Sequence, residues 1–193
     1  IRNYKALQLL IKKLAESVKQ PSSFTRLTNI ICASNAKIQL ASVIDYLKYA
    51  VETRLIFSIQ NYASKFAEKE TQKKYYFTDN GILNLFLFDG ETSLLENIVA
   101  IALRRKYENL FFYNSNVEID FYVPEKKAAY QVSYSIDAKD TRDREINALI
   151  KFAKVEKLKS LYIITYDEEN TIQEDNLSIK VIPCWKWMLT ENF

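Results

Sequence analysis

The chain has 193 residues, 48% hydrophobic, 26% charged and 13% aromatic, with a formal net charge of +3. That is enough apolar material for one large or two small folded domains, and too much for intrinsic disorder. No histidine is present and the only glycines are Gly81 and Gly90. Ser-His-Asp and Cys-His catalytic sites, histidine metal ligands and a G-x-x-x-x-G-K phosphate loop are therefore excluded from this polypeptide.

The first 74 residues hold 13 Lys/Arg against 5 Asp/Glu, a net of +8, and residues 75–193 hold 14 against 19, a net of −5. A basic half followed by an acidic half predicts two modules, the first suited to a polyanion. Residues 1–19 carry Tyr4, Leu7, Ile11, Leu14 and Val18 at helical spacing and predict an amphipathic helix. Pro21-Ser22-Ser23 ends it and supplies N-cap residues. A second helix is expected over 24–33, with Leu27, Ile30 and Ile31 inward, and a third over 40–53, with Val43, Ile44, Leu47 and Val51 inward. Strands are expected over 55–59 and 74–78, separated by the charged stretch 63–74.

Three helices and a hairpin make a winged-helix arrangement. Its third helix would offer Ser42 and Lys48 to a DNA groove, with Lys37 before it. The hairpin tip would bring Lys65, Lys69, Lys73 and Lys74 to phosphates. The third helix has no arginine, so any DNA contact is expected to be phosphate-dominated and weakly specific.

Asp79-Asn80-Gly81 and Asp89-Gly90-Glu91 are turn signals around a short apolar helix over 82–88, and the domain boundary is placed at residues 88/89. The second module, 89–193, starts with a helix over 92–107. Strands follow at 110–113, 117–123 and 128–135. In the second of these, Val117, Ile119, Phe121 and Val123 alternate with Glu118, Asp120 and Tyr122. A helix over 141–155, with Asp140 as its N-cap, and a buried strand over 161–166 come next. An acidic loop over 167–176 leads to a strand over 179–182, and Trp185, Trp187 and Leu189 are expected to close a core. The overall class is α+β or α/β.

Cys32 and Cys184 are expected to be free buried thiols of a reducing, cytoplasmic compartment. No apolar run is long enough for a membrane span. The start Ile1-Arg2-Asn3 and a single methionine, Met188, suggest a fragment or processed product of a longer protein.

Within the second module the order helix, three strands, helix, strand, with Asp120 on the second strand and Gln131-Val132-Ser133 on the third, resembles the PD-(D/E)XK restriction-endonuclease-like fold. The runs Tyr75-Tyr76-Phe77-Thr78-Asp79-Asn80-Gly81-Ile82-Leu83-Asn84, Leu94-Leu95-Glu96-Asn97 and Val117-Glu118-Ile119-Asp120-Phe121 resemble the C-terminal region of a family of prokaryotic AAA-type ATPases. In that family a winged helix and a nuclease-like domain of unknown function follow the ATPase domain. The resemblance implies that ATP belongs to an upstream ATPase domain, which would also be a partner.

It further implies a site at Glu96, Asp120, Gln131 and Glu145, with Asp120 and Glu118 as Mg²⁺ ligands if the site works. Gln131 stands where the fold carries an acid and Ser133 where it carries a lysine. Glu118 could add a carboxylate, and Lys126, Lys139 or Arg142 could supply the missing positive charge. The leading expectation is a non-catalytic, DNA-binding or regulatory region of a cytoplasmic ATPase, touching double-stranded DNA. A Mg²⁺-dependent endonuclease centred on Asp120 and a protein-interaction module are the alternatives.

Overall fold

A computed structural model describes residues 3–190, so Ile1 and Arg2 of the expected first helix lie outside the described residues. The chain divides into two compact units, Ile1–Gln60 with Ser64–Gly90, and Asn61–Ala63 with Glu91–Phe193. Both mix helices and strands, with eight α-helices and nine strands among the described residues.

The first unit begins with α1 (Tyr4–Glu16), capped by Asn3, whose side chain accepts the Ala6 N–H at 3.0 Å. The buried face is Ala6, Leu10, Leu14 and Ala15, while the expected inward Tyr4 is 69% exposed. The sequence is apolar on two sides of this helix, and the side carrying two alanines is the one that packs. β1 (Ser22–Ser23) leads into α2 (Phe24–Ala33), capped by Ser23 and burying Leu27 and Ile31. α3 (Leu40–Glu52) buries Val43, Tyr46, Leu47 and Ala50. The expected inward residues Ile44 and Val51 are instead 38% and 41% exposed.

β2 (Ile56–Asn61) and β3 (Gln72–Phe77) pair antiparallel, and a short helix, α4 (Phe66–Thr71), occupies the connection expected to be a bare hairpin tip. β1 pairs with the other edge of β3, which gives the order β1-β3-β2. Asp79 caps α5 (Asn80–Asn84) by accepting the Ile82 N–H at 2.8 Å.

The second unit runs α6 (Glu91–Lys106), β4 (Phe111–Asn114), β5 (Glu118–Val123), a 3-10 turn over Pro124–Lys126, β6 (Ala128–Val132), α7 (Lys139–Glu156), β7 (Ser160–Thr165), β8 (Asn170–Glu174), β9 (Leu177–Pro183) and α8 (Cys184–Thr190). Its strands are ordered β4-β5-β6-β7-β9-β8. β4, β5 and β6 form an antiparallel meander; α7 then crosses over so that β7 runs parallel to β6, and β9 parallel to β7.

Leu149 and Phe152 of α7 pack in one buried cluster with Ile119, Tyr122, Ile163, Ile179 and Val181. At ~25–30 cal/mol per Å² of apolar area removed from water, each such side chain contributes about 2 kcal/mol. Trp187 of α8 is buried edge-on to Tyr130, but Trp185 and Leu189 are 61% and 70% exposed and close no core. The α7 N-cap is Ala138, with Asp140 inside the first turn, where a negative charge suits the helix dipole.

Two further local features depart from the sequence reading. The stretch expected to be an acidic loop contains β8, which pairs antiparallel with β9. The two residues between them, Asp175 and Asn176, have φ of 51° and 61°. Two consecutive left-handed residues make the tight hairpin turn that Asp and Asn tolerate best after glycine.

The second departure is in β5. Phe111 pairs with Tyr122 but Tyr113 pairs with Ile119, so two steps on β4 face three on β5. The extra residue is a β-bulge in the Asp120–Phe121 stretch, and it breaks the alternation. Tyr122, expected on the same face as Asp120, therefore shares the core cluster with Ile119.

Candidate functional site

The bulge also frees backbone groups of β5 from the regular ladder. The β5·β6 register runs Val123↔Ala128, Tyr122↔Ala129 and Phe121↔Tyr130. Beyond it, side chains take over the cross-strand bonds. Gln131, 3% exposed, accepts the Asp120 N–H on Oε1 at 2.8 Å and donates through Nε2 to the Glu118 carbonyl at 3.0 Å. In return the Val132 N–H donates to Asp120 Oδ2 at 2.9 Å. A side-chain amide suits this place because it carries an acceptor and a donor together; a carboxylate could satisfy only the first.

Glu145 projects from α7 and is 5% exposed. Arg144 precedes it on the helix, where neighbouring side chains diverge by about 100°. The arginine therefore folds back over its neighbour, placing Nη2 and Nε 2.6 and 3.2 Å from Glu145 Oε1. Burial pushes the Glu145 carboxyl above its ordinary pKa, the Arg144 hydrogen bond and charge pull it down, and the charges of Asp120 and Glu118 push it further up. Arg144 is held above its usual value, first by the Glu145 bond and charge and then by Asp120 and Glu118. Glu118, Asp120, Arg144 and Glu145 thus form one electrostatic neighbourhood on β5 and α7.

Four of the expected site residues, Glu118, Asp120, Gln131 and Glu145, come together here. Glu96, the fifth, is buried at 2% exposure on α6, which packs on β6. Ser133 turns its hydroxyl to the Ser135 carbonyl at 2.8 Å. Lys126, Lys139 and Arg142, considered as substitutes for the missing lysine, are all exposed. Arg144, the cation that the structure places beside the carboxylates, was missed by the sequence reading. Its signal was present: it is the basic residue adjoining an acid already singled out, four residues before the apolar Ala148 of the α7 core face.

The arrangement does not suit a divalent metal. Gln131 has both polar atoms committed to β5 backbone, Asp120 Oδ2 holds the Val132 N–H, and Glu145 holds a guanidinium. Among the described residues, no three His, Cys, Asp or Glu side chains are grouped to bind a metal ion. Asp120 and Glu118, the expected metal ligands, both lie on β5, with Asp120 Oδ2 already bonded to the Val132 N–H.

The expected DNA contacts of the first unit fare unevenly. Lys74 is fully buried in β3 and cannot reach a phosphate; this corrects its placement at a hairpin tip, because β3 begins two residues before it. Lys73 is 19% exposed and bonded to Glu70 at 3.2 Å. Lys69 is half-buried on α4. Lys48 lies within 3.8 Å of Glu52 on its own helix. Lys65, at the start of α4, and Lys37 are exposed.

Ser42 and Lys37 line a cleft of about 510 Å³ with Asn3, Cys32, Ile38, Gln39 and Tyr46. Cys32 is exposed there, and only Cys184 is a buried thiol as expected. The solvent side of α3 carries Leu40, Ile44, Tyr49 and Val51.

Among the described residues no helix is long and apolar enough to cross a membrane. Residues 1–93 match a family model described as a domain of unknown function, DUF8612. The chain is 32% identical over 202 aligned positions to the uncharacterized protein MJ1544 of Methanocaldococcus jannaschii. That match takes in 98% of this chain and 46% of the relative, so the chain spans about half the length of the curated relative it matches. No solved structure matches the chain.

Proposed function

We propose that this chain is a non-catalytic, regulatory binding region in which a winged-helix-like first unit makes the contacts and a nuclease-like second unit serves as scaffold. The observation that carries the non-catalytic reading is Gln131. Its amide is consumed in holding β5 to β6 at the position where the nuclease-like fold needs a metal-binding acid. Support for the first unit comes from its three helices and the strand order β1-β3-β2. Support for the second comes from the order α6, β4, β5, β6, α7, β7, with β7 parallel to β6.

The face of α3 favours a protein partner. Leu40, Ile44 and Val51 fall within about 40° of one another around the helix axis. The charges beside them are Asp45, Lys48 and Glu52, of which Lys48 and Glu52 pair with each other. A phosphate backbone has little to meet there, whereas a partly apolar protein surface does. Duplex DNA is the second reading, favoured by the +8 charge of residues 1–74 and by exposed Lys37 and Lys65. It would be a salt-sensitive phosphate contact. Attachment to an AAA-type ATPase rests on the motif resemblance, and the greater length of the curated relative supports action within a longer protein.

Incubation of supercoiled plasmid with the folded protein and Mg²⁺ or Mn²⁺ tests the reading. The plasmid is expected to stay intact, and metal-dependent nicking lost in Asp120→Ala would overturn the proposal. A gel shift over a salt series decides between partners: retention on duplex at physiological salt, lost in Lys37→Glu with Lys65→Glu, would favour DNA over protein.

A further inference from the structure

The chain leaves the first unit after Gln60, crosses into the second for Asn61–Ala63, and returns to the first at Ser64. Those three residues are bonded as part of the second unit. Asn61 accepts the Asn114 N–H on Oδ1 at 3.0 Å and donates through Nδ2 to the Asn114 carbonyl at 2.8 Å. One side-chain amide serves Asn114 as a peptide group of a neighbouring strand would, because it carries an acceptor and a donor together. The same Oδ1 accepts the Ala63 N–H at 3.2 Å, which folds the segment into a tight turn. Between these two residues, the Tyr62 N–H donates to the Phe112 carbonyl at 2.8 Å.

Tyr62 supplies the apolar part of the attachment. Its ring stands edge-on to Phe111 and Tyr122, with centroids 5.6 and 4.9 Å away. It packs on the buried cluster that holds Tyr122, Phe152 and Ile119. Edge-to-face ring pairs stabilise beyond the area they bury. The first unit fixes both ends of the segment. Gln60 pairs with Lys73 across β2 and β3 and donates to Glu70 at 3.0 Å, and Lys65 leads into α4, its carbonyl accepting the Lys69 N–H.

We infer that Asn61–Ala63 is a latch that makes the two units unfold together. The reason is entropic. While the first unit is folded, Gln60 and Ser64 are held, so seating the three residues on β4 and β5 orders little additional chain. Once the first unit unfolds, the same contacts must order a free segment, at about 1–2 kcal/mol per residue of backbone entropy. The second unit is therefore more stable when the first is folded, and by linkage the reverse holds. The coupling does not depend on what the first unit binds.

Two probes on the full chain test this. Trp185 and Trp187, the only tryptophans, report the second unit, and a fluorophore on the exposed Cys32 reports the first. The two thermal transitions should coincide in the wild type. In Asn61→Ala with Tyr62→Ala they should separate, the tryptophan transition falling by roughly 5–10 °C. Exchange of the Asn114 amide in the native protein should quicken by about tenfold or more in Asn61→Ala. Asn61→Asp, which keeps the acceptor and loses the donor, should lie between.

Separate transitions in the wild type would overturn the inference, as would coincident transitions in the double variant. If the double variant does not fold, the single substitutions decide: equal Asn114 exchange in wild type, Asn61→Asp and Asn61→Ala would show that nothing is latched there.

Discussion

Replacing Gln131 by glutamate places a carboxylate at the position where a nuclease-like fold carries one, and the structure predicts damage rather than gain. The substitution keeps the acceptor for the Asp120 N–H but removes the donor to the Glu118 carbonyl. Losing the partner of a buried carbonyl costs about 1–3 kcal/mol. The side chain is 3% exposed, so the new charge is also taken out of water, within a bond of the Asp120 backbone and near its carboxylate. Together these give about 2–4 kcal/mol at pH 7, a large share of a small domain's stability.

Denaturant unfolding followed by tryptophan fluorescence reads the second unit selectively, because Trp185 and Trp187 are the only tryptophans and both lie on α8. The sign of the pH dependence is also determined. Burial raises the folded-state pKa of the introduced carboxyl, so the folded variant binds more protons than the unfolded one. Stability is then greatest below the unfolded value of about 4.3 and falls as pH rises through the folded one. In the acid form the carboxyl O–H can donate to the Glu118 carbonyl again, and the variant should approach wild type. An unfolding midpoint equal to wild type at pH 7, or metal-dependent nicking by the variant, would refute the account of Gln131 as a strand clamp.

Glu145→Gln removes a group whose pKa folding raises, mainly through burial. Wild-type stability should therefore fall as pH rises from about 4.5 through the folded value, and the variant should lack that component in parallel pH-unfolding series. Cys32 should react with a thiol reagent in the native protein, whereas Cys184, whose pKa burial pushes up to about 11, should react only on unfolding; two equivalent fast thiols would contradict this. Lys157 ends α7 with φ of 51°, its N–H bonded to the Ala153 carbonyl at 3.0 Å. Lys157→Gly should stabilise the second unit by about 0.5–1 kcal/mol in urea melts, and a loss would mean that its side chain matters more than its backbone. Ile44→Asp on the exposed side of α3 should change stability by less than about 0.5 kcal/mol while weakening any protein contact made there, as a pull-down with and without salt would show.

Composition and periodicity alone determined much of this protein. The absence of histidine and the scarcity of glycine ruled out whole classes of chemistry. The order of helices and strands was legible because each element carries its own spacing of apolar residues, from Leu27 and Ile31 on α2 to Ile163 and Ile164 on β7. Asp120, Gln131 and Glu145 were singled out, together with Glu96, by the resemblance to a nuclease-like fold.

Only the tertiary structure decided which side of an ambiguous helix is buried. Tyr46 and Ala50 face inward on α3 in place of Ile44 and Val51, because hydrophobicity ranks residues but packing selects an arc. Lys74 was counted as a surface charge until its place in β3 buried it. The bulge at Asp120–Phe121 and the left-handed Asp175–Asn176 turn depend on pairing with other strands, which local sequence does not encode. The same holds for Gln131 and Arg144: each looked like a gap or a bystander beside an acidic motif. The role of Gln131 came from groups 11 and 13 residues away on β5, and that of Arg144 from the helix that crosses over the sheet. Charge and hydrogen-bonding capacity are properties of a residue, but whether they are spent on a ligand or on the protein's own backbone is settled by what folding puts beside them.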